Sequence, residues 1–253
     1  GYFGMPHILV RFMSIKHASM VKKSAVVAVV WVVVALISVI VIAVMGRMLI
    51  GEELLESGQQ SMVFVRFARD LFPPAISGIL LSAIIAASMS TADSQLLVAS
   101  SSFTSDIYKP IFRKNASDKE MLWASRLIVA AIAIVALFIA ANPNSGTIMG
   151  LVENAWGVFG AAFGPAILLS LFWKRFTYKG AVAGILVGAI VDMLWLWMPV
   201  NGSTLTAITG IYEIIPGFVL SGIVAYVVSL LDKAPSAEVV AIYEAATDNS
   251  IDD

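Results

Sequence analysis

Long apolar runs separated by short charged connections set the pattern of this chain. Residues 24–46, SAVVAVVWVVVALISVIVIAVMG, carry no charge at all. A helix crosses a bilayer with about 20 mostly apolar residues. Five further stretches meet that requirement: 74–100, 122–141, 147–173, 180–198 and 211–231. The pattern predicts an all-α membrane protein with six transmembrane helices. The third span holds Arg126 near one end, where a long side chain can reach the interface.

The connections carry signals of their own. In 58–72, GQQSMVFVRFARDLF, the residues Phe64, Phe67, Ala68 and Leu71 recur at helical spacing. This predicts an external amphipathic segment, lying either on the membrane surface or as a connector packed on the bundle. Pro73-Pro74 then opens the next span, because proline fits the first helical turn. Residues 1–23 precede the first span. The tail, 232–253, is acidic, and its AEVVAIYEAA predicts a short helix that frays.

Composition agrees with the pattern. Of 253 residues, 59% are hydrophobic and 13% are charged, with a mean hydropathy of +0.91. A soluble domain is roughly a quarter charged, so this is an integral membrane protein. The net charge of −1 gives no reason to expect a nucleic-acid partner. The absence of Cys excludes a disulfide framework, a thiolate zinc site and a thiol nucleophile. Both histidines, His7 and His17, precede the first span, and no His-Glu-x-x-His pattern occurs. A membrane-embedded enzyme is therefore not expected.

Basic residues set the orientation. Thirteen of the sixteen Lys and Arg lie before the first span, around the connections after the second and fourth, or after the last. Arg47, Arg66 and Arg69 alone fall in the connection after the first span, and the loops 142–146 and 199–210 have none. Both ends of the chain are expected on the cytoplasmic side.

The second span breaks the apolar rule. Residues 86–97, AASMSTADSQLL, gather Ser88, Ser90, Thr91, Asp93, Ser94 and Gln95 at membrane depth. Each bare polar group there costs several kcal/mol, roughly. Ala87, Ser90 and Thr91 stand at i, i+3 and i+4 and share one helix face. Two hydroxyls and an approachable carbonyl beside a small methyl offer neutral oxygens to a monovalent cation. Such a half-site needs a second helix, usually a discontinuous one, to complete it. The same hydroxyls can bond back to the carbonyl four residues earlier, Thr91 to Ala87 and Ser90 to Ala86. Spacing leaves both roles open.

Small residues mark the packing faces. Gly180, Gly184 and Gly188 repeat every four residues, and Gly157, Gly160 and Gly164 crowd one side of the fourth span. This spacing predicts close helix packing in a compact bundle. Three acids also fall within spans: Asp93, Glu153 and Asp192. Glu153 and Asp192 are read first as structural or interfacial, Asp93 as part of a polar cluster, with an ion or proton role as the alternative for each.

Several ordered motifs together resemble the sodium/solute symporter family: GMPHILVRFM (4–13), LLSAIIAASMSTADSQLLVASSSFTSDIYK (80–109), NAWGVFGAAFGPAIL (154–168), YEIIPGFVLSGI (212–223) and KAPS (233–236). Glu153 before NAW departs from the neutral residue expected there. The resemblance runs over essentially the whole chain but covers only the C-terminal half of the family's length. It implies that Gly1 follows a truncated helix and that an N-terminal half of the same protein is missing. It also implies the C-terminal part of an inverted-repeat bundle of five-plus-five helices.

Residue by residue, the family's sodium site falls on Ala87 through its carbonyl and on Ser90 and Thr91 through their hydroxyls. The resemblance further implies sodium-coupled symport of a small amino acid, L-proline the expected one, across a bacterial cytoplasmic membrane. A sugar, vitamin or organic acid, or a non-transporting membrane sensor of the same fold, stands as the alternative. Sodium ion, the solute and the lipid bilayer are the implied partners.

Overall fold

The computed structural model describes every residue except 18, 57, 143, 144, 201 and 248–253, and every side chain among them but that of Phe3. The chain divides into two compact units, Ile15–Ala133 and Gly1–Ser14 with Ile134–Asp253. Helices dominate both, and six are long and apolar enough to cross a membrane.

The unit Ile15–Ala133 begins with α2 (Met20–Leu49), after α1 (Pro6–Met13) of the other unit. Four residues, including Lys22 and Lys23, extend α2 ahead of the expected 24–46. Only Gly46 of α2 is buried, and most of its valines and isoleucines are exposed, as hydrocarbon allows. A short α3 (Glu53–Glu56) and a 3-10 turn (Gln60–Met62) lead to α4 (Val63–Leu71). The amphipathic stretch thus narrows to a nine-residue helix. It packs against α2 and against α5 (Pro74–Ser102). Ala68 is buried, while Arg66 and Asp70 pair on the outer face at 2.6 Å. A Cβ added at Gly46 would run into the Val63 side chain, so the glycine is what lets α4 approach α2.

Residues Phe103–Phe112 continue α5 as a π-helix containing Pro110. Proline lacks the N–H that an α-helix uses and crowds the carbonyl four residues earlier, and a wider turn relieves both demands. Ser100 is fully buried and joins Ser125 of α6 (Asp118–Ala141) at 3.0 Å. Glu120 accepts from the Tyr108 hydroxyl at 3.0 Å and pairs with Arg113 Nε at 2.9 Å, which ties the turn between π-helix and α6.

In the other unit, α7 (Ile148–Phe172), α8 (Tyr178–Trp197) and α10 (Ile214–Leu231) form the packed core. Between α8 and α10 lie a small hairpin, β1 (Pro199–Val200) with β2 (Ser203–Thr204), and α9 (Leu205–Thr209). The hairpin pairs Pro199 with Thr204 and Val200 with Ser203. Threonines start three of these helices: Thr147, Thr177 and Thr204 accept from the backbone N–H of Gly150, Gly180 and Ala207.

Two four-residue ridges meet in this core. On α8 the ridge is Gly180, Gly184, Gly188 and Asp192; on α10 it is Gly217, Ser221, Ala225 and Ser229, running the opposite way. A Cβ at Gly180 would strike the Ser229 hydroxyl, and one at Gly184 would lie 2.7 Å from Ala225 Cβ. One at Gly188 would press into the α7 backbone at Ala161 and Ala162. The sequence expectation of close packing holds, and glycine is required at these positions by the approach itself.

The basic end of this unit is tied by side chains. Arg175 donates to the carbonyls of Leu230 at 3.0 Å and Asp232 at 3.3 Å, so it caps α10. Lys179 pairs with Asp232 at 2.9 Å. Trp173 stacks on Tyr226 with centroids 4.5 Å apart.

The N-terminal segment belongs to this unit in a way that periodicity does not announce. A 3-10 turn (Tyr2–Gly4) lies along α7, and Gly4 comes so close that a Cβ would hit the Phe159 carbonyl. Tyr2 meets Trp156 edge-on at 4.7 Å. The tail forms α11 (Ala237–Thr247), as its pattern predicts, and the expected frayed end lies outside the described residues.

Candidate functional site

The hydroxyl-rich stretch sits in the middle of α5, a helix started by Pro74 and unbroken through Ser102. Its backbone groups are satisfied within the helix, so the site is a side-chain feature and not an unwound segment. Each hydroxyl donates backward along the helix. Ser88 donates to the Ile84 carbonyl at 3.0 Å and Ser94 to that of Ser90 at 3.0 Å. Ser90 donates to the Ala87 carbonyl at 2.9 Å, and Thr91 donates to the same oxygen at 3.3 Å.

The expected Thr91 acceptor is therefore present, whereas Ser90 reaches Ala87 and not Ala86. The reason is rotamer geometry: a helical serine can address the carbonyl three or four residues back, and here the nearer one wins. The consequence is chemical. Three oxygens, Ala87 O, Ser90 Oγ and Thr91 Oγ1, gather on one exposed face of α5.

Back-bonding leaves the two hydroxyl oxygens able to bind a cation, whereas Ala87 O, which accepts both their protons, can face one only after they turn away. A hydroxyl that gives its one proton to a carbonyl keeps its lone pairs free to accept. Hard cations of calcium's size hold oxygens at about 2.3–2.6 Å, so neighbouring ligand oxygens lie roughly 3.3–3.7 Å apart. Of the observed spacings, 2.9 Å falls below that range and 3.3 Å lies at its lower edge. Small rotations of the two hydroxyls would open the triangle to receive an ion. Three oxygens are half of a six-coordinate shell, so the face is one side of a site.

Asp93 and Gln95 are exposed and Ser94 is half-buried. At about 100° per residue, Asp93 stands some 200° around the helix from Thr91. It does not join the oxygen triangle. Glu153 is exposed near the start of α7, and its carbonyl accepts from the Tyr212 hydroxyl at 3.0 Å.

Asp192 behaves differently: it is fully buried, and neither carboxylate oxygen has a hydrogen-bond partner. Glu213, just before α10, is 2% exposed and lies with Asp192 against Gly157. Sequence reasoning passed over Glu213. The available signal was the four-residue ridge itself, which Glu213 extends one step beyond Gly217.

Six candidate spans, tight glycine ridges and a hydroxyl triangle in one span make this part of a polytopic helical membrane protein. The Sodium:solute symporter family matches over residues 1–188, and the chain belongs to that family. Among its relatives, the osmoregulated proline transporter OpuE of Bacillus subtilis (strain 168) is 44% identical over 236 residues, which is 93% of this chain and 47% of that protein. The high-affinity proline transporter PutP of the same strain is 43% identical, covering 94% of this chain and 49% of the relative. The sodium/proline symporter of Escherichia coli (strain K12) is 42% identical, covering 94% and 46%. The chain thus spans about half the length of the curated relatives it matches.

Proposed function

We propose that the protein to which this chain belongs is a transporter rather than an enzyme, and that it carries a small amino acid, L-proline, into the cell together with sodium. The observation that carries the reading is the triangle of Ala87, Ser90 and Thr91 oxygens on an exposed face of α5. Relatives named as proline transporters and sodium/proline symporters support the choice of solute and coupling ion. An N-terminal half supplies the oxygens that complete the ion's shell, from a helix facing α5. The basic connections support a topology with both ends of the chain on the cytoplasmic side of a bacterial cytoplasmic membrane.

The mechanism follows from differential affinity. An ion shared between two helical repeats favours the arrangement in which both contribute ligands. Thr91 and Ser90 hold it only while the opposite helix is in reach, so sodium stabilises one state of an alternating-access cycle. Solute binding then proceeds from that state.

The test is sodium-driven [14C]proline uptake by the full-length protein in proteoliposomes. Thr91→Ala raises the sodium concentration for half-maximal uptake several-fold more than the corresponding proline concentration, whereas Thr91→Ser stays close to wild type. Equal sodium dependence in Thr91→Ala and wild type would sink the site assignment. Competition by a panel of sugars, vitamins, organic acids and amino acids separately decides the solute.

A further inference from the structure

The acidic pair in the α7–α8–α10 core takes no part in the reading above. Asp192 is completely buried, and both of its oxygens lack a hydrogen-bond partner. Glu213 is 2% exposed, with one long contact, from the Thr206 hydroxyl to its Oε2 at 3.4 Å. Gly157 of α7 brings the two together. The point where its Cβ would sit lies 3.3 Å from Asp192 Oδ1 and 3.5 Å from Glu213 Oε1. Any side chain at 157 would fill the space that both carboxyl groups border.

Among the described residues, no Lys, Arg or His side chain makes an ion pair with either of them. Residues 127–173 and 180–232 contain no Lys, Arg or His. The other titratable groups facing this end are Tyr212, whose hydroxyl is spent on the Glu153 carbonyl, and the exposed Glu153 itself. From the N-terminal segment, the Gly1 nitrogen comes beside Gly160, one turn along α7. A buried carboxyl group without a partner, Asp192, beside a second held by one long contact, Glu213, is costly unless a positive charge or a proton compensates it.

We propose that Asp192 and Glu213 together hold one small monovalent cation, a proton or a sodium ion, over the bare backbone of Gly157. The site is made from helices other than α5 and so is not the hydroxyl triangle. Its ligand set points to a monovalent occupant. Two carboxylates and one hydroxyl fall short of the six to eight oxygens that calcium takes. The packing gives the site a structural lever. Asp192 ends the glycine ridge of α8 and Glu213 lies one step beyond that of α10, so a change of charge acts directly on the contact between those helices.

The experiment uses the full-length protein in detergent, wild type, Asp192→Asn and Glu213→Gln, with two readouts. Infrared difference spectroscopy at neutral pH reports a protonated carboxyl group, and equilibrium binding of 22Na reports sodium bound per protein. A protonated-carboxyl band in wild type that disappears in either variant establishes the proton as occupant. Loss of one bound sodium per protein in either variant, with the Thr91-dependent sodium retained, establishes sodium instead. Wild type without the band, together with unchanged sodium binding in Glu213→Gln, overturns the proposal even if Asp192→Asn fails to fold. The readouts do not depend on transport, so failure of the proline reading leaves this test intact.

Discussion

Gly188→Ala tests the helix packing most sharply, because the structure places nothing flexible where the new methyl must go. The added Cβ would press on the Ala161 carbonyl oxygen, with Ala161 C at 2.8 Å and Ala162 Cα at 2.9 Å, all of it α7 backbone or directly attached to it. Carbon atoms rest at about 3.5–4.0 Å, so α7 and α8 must separate by roughly 1 Å. Overpacking of this kind costs about 1–3 kcal/mol. Opposing it, alanine gains at most about 1 kcal/mol over glycine in helix propensity. The clash wins, and the variant should be less stable by about 1–2 kcal/mol, near tenfold in the unfolding equilibrium. Gly222→Ala is the matched control: its Cβ meets only Pro165 Cβ at 3.7 Å, an ordinary contact. It should be neutral or slightly stabilising. Sodium dodecyl sulfate titration of the purified protein, followed by circular dichroism, measures both. A Gly188→Ala protein as stable as wild type, or a Gly222→Ala protein as damaged, would refute the ridge-against-backbone argument.

Other expectations can be checked alongside. Thr177→Val removes the cap accepting from Gly180 N and the hydroxyl contact with Ser229, while the backbone bond from Thr177 N to Ser229 stays; it should cost about 1 kcal/mol in the same titration, and Thr177→Ser should recover most of it. Arg175→Ala frees the Leu230 and Asp232 carbonyls, and hydrogen exchange should quicken in the last turn of α10 before it does elsewhere. The hydrogen bond from Lys179 holds the Asp232 carboxyl below its ordinary value. A depressed carboxylate stabilises the fold above its unfolded-state value, and that contribution disappears as pH falls through the folded value. Acid should therefore weaken wild type more than Asp232→Asn, and a pH series of melting curves that runs parallel for the two would contradict this. In the α5 site, Ser90→Ala should act in the same direction as Thr91→Ala on sodium-dependent uptake, since both hydroxyls address one carbonyl.

The spans were legible in the sequence because hydrocarbon imposes a simple demand: about 20 apolar residues with every backbone group satisfied inside one helix. The one-face grouping of Ala87, Ser90 and Thr91 was legible for an equally local reason, the 3.6-residue period. The hydroxyl acceptors were only partly so. Thr91 took the carbonyl four residues back, but Ser90 chose Ala87, because the choice between two carbonyls depends on a side-chain rotamer. Helical periodicity also found α4, yet it left the surface and the bundle as equal places for it. The structure adds that Val63 packs onto Gly46 and that Ala68 is buried, which sets α4 against its neighbouring helices.

Glycine spacing on the fourth and fifth spans announced close packing without naming the partner. It took the tertiary structure to set the α8 ridge antiparallel to the α10 ridge and to lay Tyr2–Gly4 along α7. That same registration carried Asp192, which the sequence marked, to Glu213, which it did not. Local rules determine what one helix offers on each face. Which faces meet depends on the rotation and register of separate helices, and those are fixed only when side chains from distant stretches compete for the same space.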